Sequence, residues 1–464
     1  MTGPPVSPAG GHATGPDDET VPDRGRTLFG LGAGNAMEWF DWTVYATFAS
    51  FFAGQFFDNE DSVSALLSTL AVFAVGFAAR PLGGFVFGWI ADRKGRQVSM
   101  ALCLALAAGG SLVIGLSPTY EQIGLGASAL LLLARLGQGL AHGGELPAAQ
   151  TYISEVAPRK RRGLWSSLIY FSGTCGVLAG TLLGALLSGV LTQEQMYSYG
   201  WRVPFLLGGV FGLYSLYVRL RMRETEVFLA ESTENTEEGA AKDKGRMWAT
   251  IKQHPKLLLQ VIGLTVGATV LYYVWAISAP SYAISVHGVD PTSALWAGVG
   301  AQILFLISLP LWGMLSDRIG RKPVLFIASG GLLVTSVPLD ALLGDQAWQL
   351  FLAMSIALLL MGGFSSIAPA VYAEIFPTRI RAVGLGLPYA IAVAAFGGTA
   401  PYLQTLFADL GNPSLFLFYA MGLMVISILV LFTLPETRAT DLNDDDVGAH
   451  GRRKSPVGTG AGTT

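Results

Sequence analysis

The chain has 464 residues, more than half of them apolar and only 13% charged, about half the charged share of a soluble domain. Apolar runs at or above the ~20 residues of a spanning helix fill most of its length, which excludes a soluble globular enzyme and implies an all-α polytopic membrane protein. The net charge of −3 says little about partners; a lipid bilayer and a small solute are expected, nucleic acid is not.

Taken in order, residues 1–26 are rich in Gly, Pro and acid and read as a disordered tail. Twelve apolar spans follow, at 28–53, 63–90, 98–117, 124–154, 164–190, 203–221, 257–285, 293–316, 323–343, 347–373, 382–409 and 414–434. The fourth is too long for one crossing, so its end is expected to extend beyond the bilayer. Residues 222–256 are charged and separate a six-helix bundle over 27–221 from a second over 257–434; residues 435–464 read as another loose tail. Of 29 Lys and Arg, 26 lie in the tails, in the links after spans 2, 4, 6, 8 and 10, or at the adjacent span ends. That places both termini in the cytoplasm. Cys103 and Cys175 fall in apolar runs and read as small buried hydrophobes, and five scattered histidines give no metal-ligand spacing. No Walker-type loop is present. Neither a cofactor nor a metal is expected, and no nucleophile–base constellation points to an enzyme.

Two motifs repeat. Gly88-Trp89-Ile90-Ala91-Asp92-Arg93-Lys94-Gly95-Arg96 returns 225 positions later as Gly313-Met314-Leu315-Ser316-Asp317-Arg318-Ile319-Gly320-Arg321. Glu155-Val156-Ala157-Pro158-Arg159-Lys160-Arg161-Arg162 returns 219 positions later as Glu374-Ile375-Phe376-Pro377-Thr378-Arg379-Ile380-Arg381. Two motifs at nearly one offset make the chain two copies of one membrane unit. Asp92 and Asp317 are expected to pair with nearby Arg or with helix N-termini, so that the two basic links latch the cytoplasmic side. Gly139, Gly143 and Gly144 on span 4, and Gly384, Gly386, Gly397 and Gly398 on span 11, read as close-packing faces.

Ionised groups at membrane depth are costly and default to function. Arg80 lies deep in span 2. Its guanidinium needs a carboxylate, either that of an anionic substrate or that of Glu38 or Asp41. Glu38 and Asp41 are three residues apart and so share a helix face, where two nearby acids resist ionising together; either can carry a proton, or both can serve only to hold Arg80 or the facing helix. Arg135 and Glu145 on span 4 are candidates for the same coupling or for structural pairing. The lone His142 reads as a packing residue before a proton relay. Arg202, beside an expected interface anchor at Trp201, attracts an anion or snorkels to headgroups. Tyr272, Tyr273, Gln302 and Tyr389 are candidate cavity residues from the second copy.

The repeated Gly-x-x-x-Asp-Arg-x-Gly-Arg pattern resembles the signature of the major facilitator superfamily. Gly34-Asn35-Ala36-Met37-Glu38-Trp39-Phe40-Asp41, Arg80-Pro81-Leu82-Gly83-Gly84, Gln138-Gly139 with Gly143-Gly144-Glu145, and Gly200-Trp201-Arg202-Val203-Pro204-Phe205 resemble, more narrowly, the metabolite:proton symporter family, whose members carry organic acids or zwitterionic osmolytes. The resemblance implies twelve helices in two pseudo-symmetric six-helix bundles, alternating access, symport with H⁺ and a part for Arg80 and Arg202 in carboxylate transport. Trp42, Thr43 and Leu146-Pro147 depart from the pattern of its organic-acid members, beside the expected cavity. The leading expectation is a monomeric cell-membrane importer of a mono- or dicarboxylate with protons. The alternatives are uptake of a proline- or betaine-like zwitterion and a nutrient sensor that does not translocate.

Overall fold

The computed structural model describes residues 24–57, 62–94, 96–143, 145–221, 254–376, 381–440 and 442. At 24–31, 62, 88, 91–93, 96–97, 145–148, 151, 218–219, 221 and 382–383 it describes the backbone alone. The expected linker at 222–256 and both tails lie largely outside these residues.

Twelve helical spans occupy the described chain. They are α1 (Arg24–Phe56), α2 (Ser62–Lys94), α3 (Arg96–Leu116), α4 (Leu125–Ala141, then Glu145–Val156), α5 (Arg162–Val190) and α6 (Arg202–Arg221). After the linker come α7 (Pro255–His287), α8 (Pro291–Ile319), α9 (Arg321–Leu342), α10 (Ala347–Ile375), α11 (Arg381–Ala392, then Ala400–Asp409) and α12 (Pro413–Thr433). Nine of the described helices are long and apolar enough to cross a membrane. Outside that set are α1, which carries Asn35, Glu38 and Asp41, the interrupted α4, and α6, bounded by Arg202 and Arg221.

Glycines bring the helices together. A Cβ at Gly139 would overlap the carbonyl oxygen of Gly76, one at Gly143 that of Arg80, and one at Gly83 that of Leu140. Thus α2 and α4 meet backbone to backbone, as small residues permit in a bilayer. The fourth span does not run on as one over-long helix. It stops at Ala141, turns through His142 and Gly143, and restarts at Glu145. A Cβ at Gly176 would likewise overlap Ala36 oxygen, fixing α5 on α1. Gly397 meets Thr269 and Tyr273 of α7, and Gly398 meets Phe77 of α2.

Two spans change pitch midway. In α7 a π-turn covers Tyr273–Ser278, just before Pro280; in α11 another covers Val393–Gly397, just before Pro401. Proline cannot donate to the carbonyl four residues back, which leaves that group to be satisfied elsewhere. For Pro280 that carbonyl is Ala276, and it accepts the Gln302 amide at 3.2 Å. The halves meet along α5 with α8, α1 with α7, α2 with α11, and α5 with α10.

Candidate translocation site

A small cavity lies where the halves meet. Trp39 and Tyr170 line it from the first half, and Tyr272, Tyr273, Tyr372, Tyr389, Thr265, Thr269 and Ser365 from the second. The hydroxyls of Tyr170 and Tyr389 meet across the interface at 3.4 Å, and those of Thr265 and Tyr372 at 2.7 Å. Trp39 stacks on Tyr273 and meets Tyr272 edge-on. The π-turn that starts at Tyr273 widens α7 there, where two successive tyrosines both reach the cavity.

Arg80 sits immediately behind that wall. It is buried, and its guanidinium donates to the Glu38 carboxylate, which is itself buried. The Tyr273 hydroxyl is a further partner from the second half. Trp42 and Phe77 lie 5.2 and 5.0 Å from the guanidinium, within cation–π range. The second Glu38 oxygen, Oε2, has no hydrogen-bond partner among the described residues.

Asp41 turns elsewhere. Although it is three residues from Glu38, its Oδ1 accepts from Ser111 of α3 at 3.3 Å. The two acids therefore do not share a partner. Arg135 is fully buried, with Tyr45, Trp42 and Phe73 at 3.8, 4.5 and 5.8 Å from its guanidinium carbon. It donates to Gln138 at 2.7 Å.

Three expectations move. Arg202 does not line the cavity: it donates to the carbonyls of Gly115 and Ser117 at 3.0 and 2.7 Å, closing the C-terminal end of α3. Trp201 is not an interface anchor but is fully buried among Phe52, Phe56 and Phe205. Gln302 lies outside the cavity wall and ties α8 to Thr181 of α5 at 3.1 Å as well as to Ala276. Tyr273 and Tyr389 do line the cavity. The side chains of Gly88, Asp92, Arg93, Arg96 and Glu145, and the whole of Gly95 and Gly144, lie outside the described residues.

Below the cavity, on the face that carries the basic links, charges knit the halves. Asp317 of α8 accepts from the backbone N–H groups of Gly163 and Leu164 at 2.8 and 3.0 Å, at the positive end of the α5 dipole. Arg321 donates to Asp317 at 2.8 Å and pairs with Glu374 at 3.3 Å, while Gly320, at φ +106°, makes the turn between them. Arg318 belongs to the same link, in the last turn of α8.

The duplicated Glu/Arg motif is crossed between the copies. Arg162 of the first pairs with Glu374 of the second at 2.9 Å, and Arg381 of the second with Glu155 of the first at 2.9 Å. Each Arg also donates through Nε to a carbonyl eight residues back, Ser154 and Ala373 respectively. In the sequence these four residues marked only the duplication, yet the signal for pairing was there: an acid and a cation held at one spacing in both copies.

Residues 436–440 and 442, part of the expected loose tail at 435–464, join this network. Glu436 accepts from the N–H groups of Arg321 and Lys322, capping α9. Thr437 donates to Glu374 at 2.7 Å, and the carbonyls of Thr440 and Leu442 accept Arg162 and Arg381. On the opposite face Ala49, Leu66 and Leu70 pack on Tyr402, which joins the halves there.

A model of the sugar (and other) transporter family matches residues 29–446. The chain belongs to that family. It is accordingly a multi-pass membrane transporter of the major facilitator type, and the expected superfamily is borne out. The α-ketoglutarate permease of Escherichia coli K12 is 35% identical over 409 residues, 88% of this chain and 93% of that one. A putative proline/betaine transporter of Staphylococcus aureus is 36% identical over 415 residues, covering 88% and 87%. Among solved structures, the proton:xylose symporter XylE bound to 6-bromo-6-deoxy-D-glucose superposes with a TM-score of 0.70 at 18% identity, over 90% of this chain and 97% of that one. At that identity the likeness carries the fold: twelve helices in two six-helix bundles.

Proposed function

We propose that this transporter imports a small organic acid, a mono- or dicarboxylate, together with protons by alternating access. It works as a single chain in the cytoplasmic membrane, with the basic face and both termini in the cytoplasm. The observation that carries the reading is the placement of Arg80: buried where the halves meet, held by one carboxylate, and touched by Tyr273, a cavity-wall residue of the second half. An incoming carboxylate competes with Glu38 for the guanidinium. Glu38, once displaced, is a buried carboxylate without a cation, a state costing several kcal/mol unless it takes a proton. Anion binding and protonation are thereby linked, and Asp41 offers a second protonation site beside Arg135. Likeness to the α-ketoglutarate permease supports the acid, and likeness to symporters supports the proton.

A zwitterion is the second reading, and the cavity wall favours it. Five tyrosines and a tryptophan surround the space, with Arg80 as the adjoining cation. Aromatic faces suit a quaternary or secondary ammonium, leaving Arg80 for one carboxylate. Counterflow of labelled α-ketoglutarate in reconstituted vesicles, challenged with succinate, glycine betaine and proline, separates the two. Block by succinate alone supports the acid; block by betaine and proline alone replaces it with the zwitterion.

A further inference from the structure

Asp41 is the last acceptor of a hydrogen-bonded chain that begins on a buried cation. Arg135 donates to Gln138 Oε1 at 2.7 Å, Gln138 Nε2 donates to Ser111 Oγ at 2.8 Å, and Ser111 Oγ donates to Asp41 Oδ1 at 3.3 Å. Every donor points the same way. Ser111, Gln138 and Arg135 are at most 1% exposed. The backbone makes room at two places. A Cβ at Gly110 would come within 2.6 Å of the Gln138 side chain, and one at Gly208 within 2.9 Å of Asp41 Oδ1. The glycine of α3 thus admits the amide, and the glycine of α6 admits the acid. The charged group bearing on Asp41 comes from α4, as Arg135, on whose guanidinium Tyr45 of α1 packs; the Arg80–Glu38 pair lies one turn away on α1 and α2, and α3 and α6 contribute none among the described residues.

We propose that Ser111 and Gln138 are positioning residues for proton coupling: they carry the influence of Arg135 to Asp41 and make its carboxylate, not its acid, the form that this chain stabilises. The proposal rests on the reading of the protein as a proton symporter in which Asp41 titrates. An amide and a hydroxyl both relay polarity, because each accepts on one side and donates on the other. Ser111 is the point of reversal. Facing an ionised Asp41 it donates; facing a protonated Asp41 it must accept, and its own hydrogen swings to the carbonyl one turn back in α3. Among the described residues the Arg135 Nε and Nη2 have no hydrogen-bond partner, so Gln138 is the acceptor that orients its guanidinium.

The test is an infrared titration of the full chain in lipid, reading the carboxylic C=O band against pH. It needs no transported substrate. The band missing from Asp41→Asn identifies Asp41. Ser111→Ala and Gln138→Met each remove hydrogen bonding that favours the charged form, so each is expected to move the midpoint of that band to higher pH by about 0.5–1 unit. Ser111→Thr keeps the hydroxyl and retains the wild-type midpoint. The double variant shifts no further than the larger single change, because both cut one chain. Wild-type midpoints in both single variants, or shifts that simply add, overturn the proposal. Failure of the parent reading looks different: Asp41→Asn vesicles then still acidify when substrate enters.

Discussion

Arg80 cannot be neutralised in a low-dielectric setting, so some carboxylate must stay with it, and in this structure it is Glu38. Removing the cation alone strands that acid. Arg80→Ala is expected to lower stability by about 3–5 kcal/mol, seen as a fall in Tm. The double variant Arg80→Ala/Glu38→Gln recovers the Tm but not uptake; recovery of uptake would take the binding role from Arg80. Glu38→Gln alone leaves the guanidinium free, so anions bind more tightly while their linkage to proton uptake is lost. Thermal shift and proton flux on one preparation check both halves of that statement. Arg80 and its two possible partners were legible in the sequence because charge in an apolar run has few options. Arg202 was not, since its carbonyl partners lie 85 and 87 residues away. Trp201 was misread for the same reason: Phe52 and Phe56, which bury it, come from α1.

At the scale of elements, the spans were legible almost to their ends, since apolar length is a property of the local chain. Their irregularities were not. The α4 break follows from Gly143 lying against α2, and the π-turns of α7 and α11 precede Pro280 and Pro401 without any local marker of their register. Composition also misjudged the segment after α12, because Glu436 and Thr437 look like solvated tail until the N-terminal end of α9 and Glu374 are in place. Two predictions belong here. Gly83→Ala drives a Cβ into the Leu140 carbonyl and is expected to destabilise the bundle by about 1–3 kcal/mol, reducing the monodisperse yield in detergent. Gln302→Leu leaves the Ala276 carbonyl without its donor and is expected to cost about 1–3 kcal/mol, visible as earlier thermal unfolding.

Over the whole molecule, the duplication read from two motifs reappears as crossed ion pairs, Arg162 with Glu374 and Arg381 with Glu155. Each copy holds the other shut on the basic face, and opening that face requires both pairs to part. Glu374→Gln removes the shared partner of Arg162 and Arg321, so it is expected to shift the population toward opening there, read as faster labelling of a cysteine placed at Ser366. The account as a whole turns on anion and proton moving together through the cavity beside Arg80. Vesicles loaded with pyranine and challenged with α-ketoglutarate measure that directly. The account predicts internal acidification with the wild-type chain and none with Arg80→Ala/Glu38→Gln; equal acidification by both, or anion entry with the internal pH unchanged, would contradict it.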